Sequence, residues 1–211
     1  MDDTVAWYEN DGSENFTKHT IDNNFNTPNH VYATDMDKDG DVDVLGSAGV
    51  ADDITWWEND GSEGFTEHTI DGNFDGASHV YATDVDGDGD IDVVGASYGD
   101  NDINWWENTN GDGTSWTEHA IDPSFGQAVS VYATDIDNDG DIDVLGAARR
   151  DADITWWEND GSESFTKHTI DADFGWAESV YAADIDGDGD VDILGAAEED
   201  HDIVWGENTA T

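Results

Sequence analysis

The stretch Val80-Tyr-Ala-Thr-Asp-Val-Asp-Gly-Asp-Gly-Asp-Ile-Asp-Val-Val-Gly95 decides the fold, because close copies of it recur along the chain. Its acidic centre, Asp-x-Asp-x-Asp-Gly-Asp-x-Asp, begins at Asp35, Asp84, Asp135 and Asp184, at steps of 49, 51 and 49 residues. A second marker, Trp-x-Glu-Asn, starts at Trp7, Trp56, Trp105, Trp156 and Trp205 and keeps the same step. The two extra residues of the longer step lie in one turn, where Thr109 to Trp116 replaces Asp60 to Phe65. A unit of about 50 residues therefore fills the chain. We read residues 1–211 as one domain, with repeats at 7–55, 56–104, 105–155 and 156–204 and a partial copy at 205–211.

Each unit holds four short runs of β-branched and aromatic residues with period-2 alternation. In the second unit these are Val80-Tyr-Ala-Thr (A), Asp90-Ile-Asp-Val-Val (B), Ile103-Asn-Trp-Trp (C) and Trp116-Thr-Glu-His-Ala-Ile (D). The connections Glu-Asn-Asp-Gly-Ser and Asp-Gly-Asp-Gly-Asp carry the Gly, Asn and Asp of tight turns, and no segment keeps a helical period. Four antiparallel strands per unit in tandem predict an all-β protein, a β-propeller of about four four-stranded blades. In strand C the first Trp shares a face with the Ile or Val two residues earlier, while the second aromatic (Tyr8, Trp57, Trp106, Trp157) takes the other, as a blade sandwiched between blades requires. The chain supplies one C strand too many, since both Val5-Ala-Trp-Tyr and Ile203-Val-Trp-Gly are C strands. We expect a four-blade ring in one monomer, in which a mixed blade joins the first D strand to the last A and B strands and one terminal C strand is displaced or at an edge. Two chains forming a larger ring is the alternative.

The copy from Val80 to Gly95 resembles the calcium-loop repeat of the FG-GAP and VCBS families, also seen in integrin α-subunit propellers. The resemblance implies a propeller whose A–B loops bind calcium, in extracellular or cell-surface proteins used for adhesion or carbohydrate contact.

The residues of the loops support the metal independently. Calcium takes six to eight oxygen ligands, and alternate Asp residues around a glycine-permitted turn point several carboxylates at one centre. In the first loop Asp35, Asp37, Asp39 and Asp43 are the expected carboxylate ligands, with Asp41 giving its backbone carbonyl as the resemblance implies. The equivalents are Asp84, Asp86, Asp88, Asp90 and Asp92, then Asp135, Asp137, Asp139, Asp141 and Asp143, then Asp184, Asp186, Asp188, Asp190 and Asp192. An EF-hand would need a bidentate Glu at its twelfth position and flanking helices, and that position here is Gly46, Gly95, Gly146 or Gly195. Four near-identical loops predict four structural ions, one in each.

Charge narrows the partners. Against 53 acidic residues stand 5 basic ones, a formal net charge of −48. Lys18, Lys38, Arg149, Arg150 and Lys167 are too few to grip phosphates, so neither nucleic acid nor an anionic membrane surface is an expected partner. No stretch reaches the roughly 20 apolar residues that span a bilayer. Four calcium ions would still leave about 40 of the 48 negative charges. That surplus resembles proteins of salt-loving microbes, whose acidic surfaces are screened at high ionic strength; an ordinary secreted acidic protein is the alternative.

His19, His68, His119 and His168 recur at one place in strand D, each three residues before an Asp, and a residue repeated in every blade reads as packing rather than catalysis. No nucleophile arrangement, zinc motif or phosphate loop is present, so we expect no enzyme. The blades differ where the B–C and D–A loops share a face of the propeller. The D–A loops read Phe25-Asn-Thr-Pro-Asn-His30, Phe74-Asp-Gly-Ala-Ser-His79, Phe125-Gly-Gln-Ala-Val-Ser130 and Phe174-Gly-Trp-Ala-Glu-Ser179. Loops on a rigid scaffold commonly carry recognition, and Trp176, Tyr98, His30, His79, Arg149 and Arg150 are the candidates for contact with a carbohydrate or protein ligand.

Overall fold

The computed structural model describes residues 3–209. It is all β, with 17 strands in antiparallel sheets. A hairpin of β1 (Val5–Asn10) and β2 (Phe16–Asp22) opens the chain. Three complete blades follow: β3 (Pro28–Thr34), β4 (Asp43–Ala48), β5 (Asp53–Asn59) and β6 (Phe65–Asp71); β7 (Ala77–Thr83), β8 (Asp92–Ser97), β9 (Ile103–Asn108) and β10 (Trp116–Asp122); β11 (Ala128–Thr134), β12 (Asp143–Ala148), β13 (Asp153–Asn159) and β14 (Phe165–Asp171). A three-stranded sheet closes the series with β15 (Ala177–Ala183), β16 (Asp192–Ala197) and β17 (Asp202–Gly206). In strand types, the hairpin is C–D and the last sheet A–B–C.

Strand A starts three residues before the predicted Val80, and strand B two residues after Asp90. The early start follows from a register shift between Ala77 and His79, which lets the strand pair through an irregularity that alternation does not show. The late start follows from the loop itself, whose backbone is turned by Asp side chains until Asp92.

The cores lie between blades. One cluster joins Met36, Leu45, Ile54 and Trp56 of the first complete blade to Phe74, Val80, Val93 and Trp106 of the second. The next joins Val85, Val94, Ile103 and Trp105 to Phe125, Val131, Val144 and Trp157, and a third joins Ile136, Leu145 and Ile154 to Phe174 and Val180. The two aromatics of strand C thus face opposite neighbours, as predicted. Each buried apolar side chain of this size contributes roughly 1.5–3 kcal/mol, so these clusters hold neighbouring blades together. Strand B keeps a glycine under the ring of the second Trp: a Cβ at Gly46 would stand 3.0 Å from the Trp57 ring, and one at Gly95 would stand 2.7 Å from Trp106. A Phe completes each setting edge-on, with Phe25–Trp57, Phe74–Trp106 and Phe125–Trp157 centroids 4.9, 5.0 and 5.0 Å apart.

The A strands line the inside of the arc, where Tyr32, Tyr81, Tyr132 and Tyr181 form a ladder with successive centroids 4.9, 4.8 and 4.7 Å apart. The propeller is not closed. The expected mixed blade is absent: β2 pairs with β1, and β17 with β16. The ladder is open as well, its last member Tyr181 being exposed.

Candidate functional site

The acidic loops join β3 to β4, β7 to β8, β11 to β12 and β15 to β16. Each is wound by its own carboxylates. The first Asp accepts the N–H five residues on, as Gly40 donates to Asp35 Oδ2 at 3.1 Å and Gly89 to Asp84 Oδ2 at 3.0 Å. The second and third Asp accept N–H groups two residues on, as in Asp39 N to Asp37 at 3.1 Å and Asp41 N to Asp39 at 2.9 Å. Gly40, at φ +102°, takes the left-handed backbone that reverses the loop.

Each loop gathers three of its predicted carboxylates, with the third taken from Asp39 in the first loop and from the last Asp in the others. One oxygen from each of Asp35, Asp37 and Asp39 lies within 4.8 Å of the others, and the same holds for Asp84, Asp86 and Asp92, for Asp135, Asp137 and Asp143, and for Asp184, Asp186 and Asp192. Burial, opposed by a backbone hydrogen bond and aided by the neighbouring carboxylates, holds Asp37 and Asp86 above the usual carboxylate range. Asp35 Oδ1 is buried with no hydrogen-bond partner. An orphaned carboxylate oxygen among other carboxylates fits a hard cation that takes oxygen ligands.

The last Asp of each loop is buried and braces the blade. Asp43 accepts from Met36 N and Asn59 N, both at 2.8 Å; Asp92 from Val85 N and Asn108 N; Asp143 from Ile136 N and Asn159 N; and Asp192 from Ile185 N and Asn208 N. It therefore ties the loop to the C–D turn, a role the sequence reading did not give it. Burial pushes Asp43 up to about 6, Asp92 to about 7 and Asp143 to about 6. The residues assigned a backbone carbonyl send their side chains toward the C–D turn or the next loop. Asp41 and Asp141 approach Gly61 and Gly161, which lack the Cβ that would obstruct them. Asp90 approaches Gly111 and also meets Lys38 Nζ of the preceding loop at 2.5 Å. Asn138 Nδ2 reaches Asp190 Oδ1 at 3.5 Å.

The opposite face is built on one backbone strap repeated four times. The B–C loop donates to the D–A loop in Gly49 N to Thr27 O, Tyr98 N to Gly76 O and Arg149 N to Gln127 O, each at 3.1 Å, and in Glu198 N to Trp176 O at 3.0 Å. The accepting residue is left-handed every time, with φ of +60° at Thr27, +68° at Gly76, +56° at Gln127 and +54° at Trp176. A bulky aromatic rarely occupies that region, which glycine fills without strain. Trp176 is 49% exposed.

Four of the six loop candidates come together. Tyr98, Arg149, Arg150 and Trp176 line one groove of about 330 Å³, joined by Gln127, Ala152, Gly175 and Glu199. Within it Arg149 is already engaged, its Nε 2.5 Å from Glu178 Oε1 and its Nη2 donating to Oε2 at 2.5 Å. Arg150 is the looser cation, 3.6 Å from Asp151. The other two candidates lie elsewhere: His30 and His79 stand in β3 and β7 with rings stacked at 3.6 Å. Burial, then His30, pushes His79 down to about 3, and burial also lowers His30.

The strand D histidines stack on the first Trp of strand C, with centroids of Trp7–His19 at 4.4 Å, Trp56–His68 at 4.7 Å, Trp105–His119 at 4.5 Å and Trp156–His168 at 4.6 Å. Their Nε2 atoms meet Glu9, Glu58, Glu107 and Glu158 rather than the following Asp. Gln127, Glu178 and Glu199 escaped the sequence reading. Gln127 was legible, since it shares the repeat position of Trp176; the Arg149–Glu178 pair crosses between loops and leaves no local signal.

Comparison with known proteins agrees with this architecture. The profile of the FG-GAP-like repeat matches residues 35–95, 84–146 and 135–195. A search of curated proteins finds no match. Among solved structures, a lectin of Agrocybe aegerita described for specific recognition of non-reducing terminal N-acetylglucosamine is similar at a TM-score of 0.58 and 20% identity, over 87% of this chain and 52% of the lectin. The V. cholerae biofilm matrix protein Bap1 is similar at a TM-score of 0.52 and 16% identity, over 84% of this chain and 25% of its own. The chain thus spans about half and a quarter of these two proteins.

Proposed function

The chain belongs to the FG-GAP-like repeat family, and from that premise we propose that it is a calcium-stabilised extracellular binding module, without catalytic activity, that recognises carbohydrate on the face of its B–C and D–A loops. Calcium in the acidic loops neutralises carboxylates that otherwise repel one another, and the ions stabilise the fold by binding it alone. Asp35, Asp37 and Asp39 would hold the first ion, and the sets Asp84, Asp86 and Asp92, Asp135, Asp137 and Asp143, and Asp184, Asp186 and Asp192 the other three, while Asp43, Asp92, Asp143 and Asp192 also fix the loops to the blades.

The observation that carries the binding reading is Trp176. On a strap whose backbone is the same in every blade, one left-handed position bears an exposed indole beside Tyr98 and Arg150. An exposed aromatic stacks on the apolar face of a sugar ring, and arginine and carboxylate neighbours hydrogen-bond its hydroxyls. The lectin fold of a structural neighbour is consistent with this use. The test is a glycan array in calcium and high salt, comparing the protein with Trp176→Ala. Glycan binding lost in the variant supports the assignment; no glycan bound, or full binding by the variant, contradicts it.

A further inference from the structure

We propose that two copies of this chain close one larger propeller, each completing the other's open blade: the β1–β2 hairpin of one copy adds to the β15–β16 sheet of the other in place of β17.

The two ends of the arc expose what the interior buries. Val31 is 54% exposed, whereas its counterparts Val80 and Val131 are 0% and 1% exposed. Ile185 at the other end is 47% exposed, against 0% for Met36 and 2% for Val85. Tyr8 of the hairpin is 59% exposed where Trp57 is 1% exposed. These side chains are the two halves of an interface that occurs three times within the chain, where the counterparts of Ile185 pack against the blade bearing the counterpart of Val31. The end faces are therefore complementary to each other.

The strands match as well. In each complete blade strand B pairs with strand C, with Leu45 opposite Trp56, Val94 opposite Trp105 and Leu145 opposite Trp156. The free edge of β1 is the edge that a B strand takes, and β16 is a B strand. Its present partner β17 is exposed throughout, whereas β1 is anchored by Val5, packed with Phe25 and Trp57. Phe174 shows a second vacancy. Its three counterparts each face a strand C Trp edge-on, but at that position β17 has Gly206. In the composite blade Leu194 would stand opposite Trp7 of the second copy, whose Tyr8 would fill the place beside Phe174.

The hairpin need not leave the blade it packs against to do this. It stays packed on β3–β6, so docking brings Ile185 and Tyr181 of one copy over Val31 and Val42 of the other. Two such contacts related by a twofold axis close the ring, with three complete blades and one composite blade from each copy.

The test is the mass in solution by light scattering and sedimentation, with calcium and about 1 M sodium chloride to screen the like charges. The account predicts a mass twice that of the 22.9 kDa chain. Val31→Asp and Ile185→Asp change residues already exposed, so both should fold, keep the calcium-dependent melting transition and sediment as monomers. Removal of residues 202–211 should leave the dimer intact, since β17 gives way to the hairpin. A monomer under these conditions, a series of larger species, or a dimer lost on removing β17 overturns the proposal.

Discussion

The two faces of the propeller arc are built by the same repeat yet behave oppositely. On one face, four acidic loops keep the same carboxylates, the same Asp-wound turns and the same buried brace at Asp43, Asp92, Asp143 and Asp192. On the other, an equally constant backbone strap carries Thr27, Gly76, Gln127 and Trp176 in turn. Uniform side chains on uniform backbone serve a need common to every blade, which is stability; variable side chains on uniform backbone permit recognition. The comparison teaches that the backbone alone does not separate scaffold from site in a repeat protein.

Removal of calcium would break the comparison most visibly. At a hundredfold excess over Kd each ion stabilises by about 2.7 kcal/mol, and 1 kcal/mol moves the melting temperature by about 2–4 °C in a chain of this size. Chelation at constant ionic strength should therefore lower it by more than about 10 °C. Equal melting curves with and without calcium would remove the loop face from the stability account.

The next effect concerns charge that the ions leave uncompensated. With calcium saturating, raising sodium chloride from about 0.1 M to about 1 M shortens the Debye length from about 10 Å to about 3 Å and should raise the melting temperature by several degrees. A flat or falling response would show that the surplus acids do not strain the fold.

Trp176→Ala sharpens the contrast from the other face. Its indole is half exposed, so the melting temperature with calcium should change by less than about 2 °C while glycan binding falls. A large loss of stability would make Trp176 a packing residue.

The smallest effect is at Asp102, outside the acidic loops. Burial first, then Asp100, Glu118 and Asp122, pushes its carboxyl up to about 6 from 3.8. A folded value above the unfolded one means that the folded state holds the proton more tightly, so stability is lost as pH rises from about 4 through about 6. Asp102→Asn should raise the melting temperature by about 1–2 °C at pH 8 and leave it unchanged at pH 4, allowing for solvent screening. A gain of the same size at both values would assign the effect to something other than ionisation.

Much of the molecule was legible because a repeat states each rule several times. The step between Asp35, Asp84, Asp135 and Asp184 gave the blades, and alternation around Trp56 and Trp57 gave the two packed faces. Strand limits were less legible, since irregular pairing at Ala77 and the loop carboxylates at Asp90 follow from hydrogen bonds rather than from hydropathy. Closure was not legible at all, because it depends on the angle accumulated from blade to blade. In the candidate site, Trp176, Tyr98 and Arg149 stood out as departures from the repeat. The engagement of Arg149 by Glu178 and the withdrawal of His30 and His79 into a stacked pair required the fold.

The central claim is that each acidic loop is a calcium site on which the scaffold depends. Calorimetric titration of calcium into the chelator-treated protein at high salt tests it most directly. The account predicts four ions bound per chain, with the melting temperature rising as the sites fill. Binding of no ion, or saturation of all sites without any change in the melting temperature, would contradict it.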